Sequence, residues 1–204
     1  MRFVWVDAGN NANWEAIARH GIGGEFYPVS DPVADVARRL VHSRRVNHVG
    51  GLYAAWNWIP NLGDGAGFAE WVHERVAEIE ARLTPRPSNS FPKVQLDNED
   101  HRPDVILAML RRWRQLRPKR DTSWTFEAGQ GGWMSPAFVD EVVSLRVRLV
   151  PQCYTGDMRR FESDVVLRDL THRGFPESLV SPFYDAADLG LGWDGFAFTQ
   201  GRLP

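Results

Sequence analysis

Cysteine is almost absent from the 204 residues, Cys153 being the only one, so no internal disulfide can form and the chain must hold itself together by its core. Lysine is nearly absent as well: 22 of the 24 basic residues are Arg, and only Lys93 and Lys119 are Lys. Against 26 acidic residues this leaves a formal charge of −2. There is no basic excess to neutralise a phosphate backbone or an anionic bilayer, which argues against nucleic acid as a partner. No run approaches the ~20 apolar residues of a membrane span, and Met1 to Asp7 carries no apolar stretch of about 7–15 residues like that of a secretory leader. The six His form neither His-x-His nor His-Glu-x-x-His, so no metal site is expected. There is no Gly-x-Ser-x-Gly elbow for a serine nucleophile, and no Gly-Lys-Ser/Thr follows the glycines of Gly63-Asp64-Gly65-Ala66-Gly67. That segment reads as a loop with a helix start, and no cofactor is expected.

What the chain does have is a 43% hydrophobic composition and nine Trp. At about 150 residues per domain, this length is one domain, taken as residues 1–204, with apolar content sufficient for a core. Short β-branched and aromatic runs alternate with helical periods. The runs predict strands over Phe3–Asp7, Gly24–Pro28, Val49–Trp56, Lys93–Glu99, Ser123–Ala128, Val147–Cys153, Leu179–Tyr184 and Gly195–Thr199. Helices are predicted over Trp14–His20, Pro32–Arg44, Gly67–Leu83, Pro103–Arg117, Pro136–Leu145 and Ser163–Arg173. Ser135-Pro136 and Asp31-Pro32 are helix starts, and Gly21 and Gly174 are stops. Strand–helix alternation implies a parallel α/β sheet, and eight strands can close a barrel. The expected fold is a short (β/α)8-like TIM barrel with degenerate last crossovers, since only about ten residues separate the last two strands. An open doubly wound sheet is the alternative.

In such a barrel the chemistry sits at the carboxyl ends of the strands. The first predicted strand ends at Asp7 and the fourth in Gln95-Leu96-Asp97-Asn98-Glu99-Asp100. Strand alternation puts Gln95, Asp97 and Glu99 on the face opposite Val94 and Leu96. With the apolar pair toward the helices, both carboxylates face the barrel mouth. Carboxylates at i and i+2 lie about 6.5 Å apart, close enough for one to raise the other's pKa. A retained proton beside a second carboxylate is what glycoside hydrolysis requires. The competing reading is a polar turn in which Asp100 caps the following helix. Other strand ends offer Glu127, Gln152, Tyr154, Tyr184 and Asp185 as substrate contacts, and Trp56 and Trp133 as flat surfaces for sugar rings. Trp58 and Trp193 are weaker candidates of the same kind, while Trp5, Trp71 and Trp113 are assigned to the core.

Val6-Asp7, then Asn13-Trp14-Glu15, then His20-Gly21 before the second strand resemble the opening of family 25 glycoside hydrolases, the Chalaropsis-type lysozymes. Leu96-Asp97-Asn98-Glu99 is similar to their Leu-Asp-x-Glu fourth strand. The resemblance covers about the first hundred residues and implies a short barrel with Glu99 as general acid. Asp97 and Asp7 would stabilise the cationic transition state or hold the attacking group. The chain departs from the family at Ala8-Gly9-Asn10-Asn11, and Asp185 or Asp194 would stand for its late acidic residue. Tyr53-Ala54-Ala55-Trp56-Asn57-Trp58, Gly129-Gln130-Gly131-Gly132-Trp133, Val150-Pro151-Gln152-Cys153-Tyr154 and the segment from Phe198 to Leu203 resemble minor tail proteins of phages of high-GC bacteria. That resemblance implies a virion tail location after synthesis in the host cytoplasm. The implied partners are cell-wall glycan (peptidoglycan), other tail proteins and, on a symmetric tail axis, further copies of the chain. Two functions follow as expectations: glycan recognition with hydrolysis, or a catalytically silent adhesion module of the tail tip.

Overall fold

The computed structural model describes residues 2–5, 22–45, 49–59, 64–85, 88, 91–100, 102–127, 132–152, 163–180, 183–185 and 196–199. Its strands are β1 (Arg2–Trp5), β2 (Ile22–Pro28), β3 (Val49–Ala55), β4 (Lys93–Asp97), β5 (Thr122–Glu127), β6 (Arg148–Gln152), β7 (Phe183–Asp185) and β8 (Phe196–Thr199). Between them lie helices α1 (Val33–Arg45), α2 (Gly65–Glu80), α3 (Pro103–Leu116), α4 (Pro136–Ser144) and α5 (Ser163–His172). The helix expected at Trp14–His20 and the stop at Gly21 fall outside the described residues. Among the described residues no helix is long and apolar enough to cross a membrane.

The chain is an α/β protein whose strands β1 to β7 run parallel in sequence order. The last strand corrects the expectation of an all-parallel sheet: β8 is antiparallel to both β7 and β1, and through it the hydrogen-bonded order returns to its start. Chain length explains the reversal. A parallel return needs a crossover of a dozen or more residues, and residues 186–195 are too few. The predicted seventh strand also shifts. Pro176 precedes a 3-10 turn at Glu177–Leu179, Val180 makes a single bridge to Leu149, and the strand proper starts at Phe183.

Between the sheet and the helices lies the main apolar core. Val94 and Leu96 of β4, Trp124 and Phe126 of β5 and Leu149 of β6 join Phe68, Val72, Val76, Met109, Leu110, Trp113 and Val142 from the helices. Each such side chain removed from water contributes roughly 1.5–3 kcal/mol, which sets strand register, because a one-residue slip would turn all of them to the opposite face. The start at Ser135-Pro136 is as expected from sequence, and α2 starts two residues before the predicted Gly67. Asp64 caps α2 by accepting from the Gly67 N–H at 2.6 Å, and Ser135 caps α4 by accepting from the Phe138 N–H. Gly174, at φ +106°, ends α5 in the left-handed region.

On the outer face of β2, Tyr27 and Ser43 meet at 2.8 Å, and the Ser43 hydroxyl donates to Glu25 at 2.8 Å, all three residues being buried. The Tyr27 hydroxyl is pushed up by burial and by the neighbouring Glu25 charge. The first turn of α2 rests on α3 so closely that a Cβ on Gly65 would fall on the Val105 carbonyl oxygen and crowd the Met109 N–H. Gly65→Ala must therefore push two helices apart, and a loss of about 2 kcal/mol in urea unfolding is expected. A loss below about 0.5 kcal/mol would show that this crossing is not close-packed.

Candidate active site

The β4 side chains alternate as the sequence predicts. Val94 and Leu96 enter the helix-facing core, while Gln95 on the other face donates from Nε2 to Thr125 Oγ1 at 2.5 Å. Asp97, two residues on, pairs in register with Ala55 of β3 and Thr125 of β5. Just past the strand ends, Ala55, Trp56, Asn57, Asp97, Glu99 and Asp100 line an open groove of about 300 Å³. Trp56 starts the 3-10 turn that follows β3 and sets its ring edge-on to Phe68, with centroids 5.3 Å apart. One side of that indole is thereby fixed by the core while the residue stays half-buried at the groove.

The two carboxylates differ in environment. Glu99 is exposed. Asp97 keeps some solvent access as a residue, but its Oδ1 is enclosed and has no hydrogen-bond partner among the described residues. Burial pushes the Asp97 carboxyl well above the usual carboxylate range, and the charge of Glu99 pushes the same way. An enclosed carboxyl oxygen without a donor is uncommon enough to require a reason. Enclosure and the nearby charge of Glu99 both disfavour the ionised form, so Asp97 is the carboxyl of the two that keeps its proton.

Asn98 fixes the peptide between these carboxylates. Its side chain is fully buried, donating from Nδ2 to Met109 Sδ at 3.6 Å and accepting from the Asp100 N–H at 2.9 Å. Its backbone N–H reaches the Thr125 carbonyl at 3.3 Å, and its carbonyl accepts from Trp124 Nε1 at 3.0 Å. A polar residue set between two carboxylates and pointing away from them thus anchors both. Trp124 and Asn98 were not singled out by motif, although the parity that turns Asp97 and Glu99 inward also turns Asn98 toward the core. Asp100 does not cap α3, contrary to the sequence reading. It accepts from the Arg102 N–H at 2.9 Å and binds the Arg102 guanidinium, while Arg102 itself is the N-cap residue and makes no side-chain cap bond.

The other predicted residues divide by position. Glu127 and Gln152 face each other in register at the ends of β5 and β6, half-buried and buried respectively, and they do not line the groove. Trp133 packs edge-on against Phe138 at 4.9 Å and tilts against Trp124 at 6.4 Å; its enclosed Nε1 has no partner among the described residues. Tyr184 and Asp185 lie in β7, which is described by its backbone alone. Asp7, Tyr154, Trp193 and Asp194 are outside the described residues. Trp113 is core, as predicted, and donates to Thr122 Oγ1; Trp71 is half-buried and stacks on Phe68. Among the described residues no group of three or more His, Cys, Asp or Glu could hold a metal ion.

Compared with solved structures, the chain is similar to the catalytic domain of a hyperthermophilic chitinase from Pyrococcus furiosus, at TM-score 0.59 and 13% identity over 87% of this chain and 70% of that one. The α/β fold is similar to that of this glycoside hydrolase catalytic domain. At such identity the likeness is one of fold alone, and it says nothing of which residues act. No family model and no curated protein matches the chain.

Proposed function

We propose that the chain is a single glycosidase-like domain, a short (β/α)8 barrel with degenerate last crossovers. It binds bacterial cell-wall glycan in the groove beside Trp56 and cleaves a glycosidic bond there. The observation that carries the proposal is the meeting of Asp97, Glu99 and Trp56 at the carboxyl ends of β3 and β4, in a fold similar to a chitinase catalytic domain. The carboxyl ends of the strands are where barrel enzymes keep their chemistry.

The mechanism follows from the unequal burial of the two carboxyls. Asp97 keeps its proton, because enclosure and the nearby Glu99 charge both disfavour its ionised form. Glu99, being exposed, can reach the leaving oxygen. As the C–O bond breaks, Glu99 gives a proton to the leaving oxygen and is left as a carboxylate facing a positively charged sugar ring, which favours an oxocarbenium-like transition state, while Asp97 holds the attacking water by a hydrogen bond. Water then adds to the sugar, and its proton returns to Glu99. Trp56 offers a fixed apolar surface against which a sugar ring can stack. The tail location, and other tail proteins as partners, rest on the resemblance of the segments around Trp56, Trp133, Gln152 and Gln200 to minor tail proteins.

Incubation with purified peptidoglycan, followed by centrifugation, tests this reading. Hydrolysis puts new reducing ends into the supernatant. Protein that sediments with the glycan and releases nothing is instead the silent adhesion module.

A further inference from the structure

At the opposite end of the strands from the groove, a cleft of about 530 Å³ opens between the turn that leads into β5 and the turn that leads into β6. Arg114, Lys119, Arg120 and Arg146 line it, with Asp121 as the sole carboxylate. Four cations in one cleft are notable in a chain whose net charge is −2 and which has only two lysines.

Most of these charges are spent locally. Arg120, only 8% exposed, pairs with Glu80 and donates to the carbonyls of Ser88 and Pro92. Asp121 is matched by Lys93 at 2.7 Å. Arg114 donates to the carbonyls of Leu145, Arg120 and Arg146 at 2.6–2.8 Å, covering the carbonyl-rich end of α4 that would otherwise repel an anion. Burial holds its guanidinium below the ordinary range. Lys119 and Arg146 remain: both are exposed on the cleft and neither side chain has a partner among the described residues.

The backbone at Arg146 adds an independent observation. It is the non-glycine residue with positive φ among those described, at +53°, just past the end of α4. A side chain is disfavoured there, and the turn after α5 uses Gly174 at φ +106°. Arg146 therefore carries a conformational cost that glycine would avoid, and what it gains is a guanidinium on the wall of the cleft. The left-handed turn at the end of α4 thus sets the Arg146 guanidinium on the cleft beside Lys119.

We infer that this cleft is an anion-binding site for phosphate-class groups, with Arg146 as the forked donor and Lys119 as the second cation. Arg is suited to paired hydrogen bonds with phosphate oxygens, and Lys to a point charge beside them. The ligand is either a free oligophosphate or the phosphodiester of a polymer, and the two sources present the same oxygens. The site lies away from Asp97 and Glu99, so it stands whether or not the groove hydrolyses glycan.

Pyrophosphate and a glycerol-phosphate oligomer, titrated separately at low salt into the full chain and followed by amide NMR and calorimetry, test the inference. Saturable binding is expected, with shifts concentrated at Lys119–Asp121 and Ser144–Arg146. It should weaken at least tenfold in Arg146→Gly and in Lys119→Gln. Tighter binding of the oligomer assigns the site to a polymer, and tighter binding of pyrophosphate to a free anion. Arg146→Gly should also keep or raise the melting temperature, since glycine relieves the left-handed residue. No saturable binding of either probe, or binding that both variants leave unchanged, overturns the site.

Discussion

Glu99→Gln is expected to slow glycan cleavage by about 10²- to 10⁴-fold, the range carried by a positioned proton donor, while leaving the melting temperature within error of the wild type. Glutamine keeps the shape of the side chain and removes only its ability to give and take a proton. Glu99 is exposed, and substitutions at such positions typically change stability by less than about 0.5 kcal/mol. Substrate binding should survive, because stacking on Trp56 does not depend on the carboxyl. The expected signature is thus a fall in kcat with KM little changed, measured on soluble glycan fragments. An equal loss of binding and rate would place Glu99 among substrate-holding groups rather than at the breaking bond.

Asp97→Asn should separate stability from activity in the opposite sense. Burial and the Glu99 charge raise the native pKa of Asp97 above its unfolded value near 3.8, so over the interval between the two values the native chain binds more protons than the unfolded one. Stability then falls as pH rises through that window, by about 1.4 kcal/mol for each pH unit. Below about pH 4 both states are protonated and the penalty vanishes. Asparagine does not titrate. The variant should therefore match the wild type at pH 4 and exceed it in unfolding free energy at pH 7, while losing activity because the amide does not hold the attacking water as the carboxyl does. Urea unfolding at the two pH values measures the difference. An equal offset at both would mean that Asp97 is not held protonated by the fold.

Much of this site is legible in the sequence, because strand parity is a rigid rule. Once Val94 and Leu96 are assigned to the helix-facing core, Gln95 and Asp97 must face the other way, and the structure places them so. Trp56 is legible for the related reason that it closes the run predicted over Val49–Trp56, although the strand itself ends one residue earlier at Ala55. Asn98 and Trp124 are not, since their importance lies in a hydrogen bond between residues 26 apart in the chain, and no local pattern announces it. The last strand is a similar case: its apolar run reads correctly, but its direction depends on whether ten residues can make a crossover. The basic cleft has no motif either. Lys119 and Arg146 come together through two separate turns, and the left-handed backbone at Arg146 has no mark in a sequence where glycine would be the ordinary signal.

Bond cleavage by the Asp97–Glu99 groove is tested most directly by mass spectrometry of the products from wild type and Glu99→Gln on peptidoglycan fragments and chitin oligosaccharides. Shorter glycans carrying one added water per cut, formed by the wild type and not by the variant, are the predicted result. Intact oligosaccharides after prolonged incubation with the wild type, or the same products from both proteins, would contradict it.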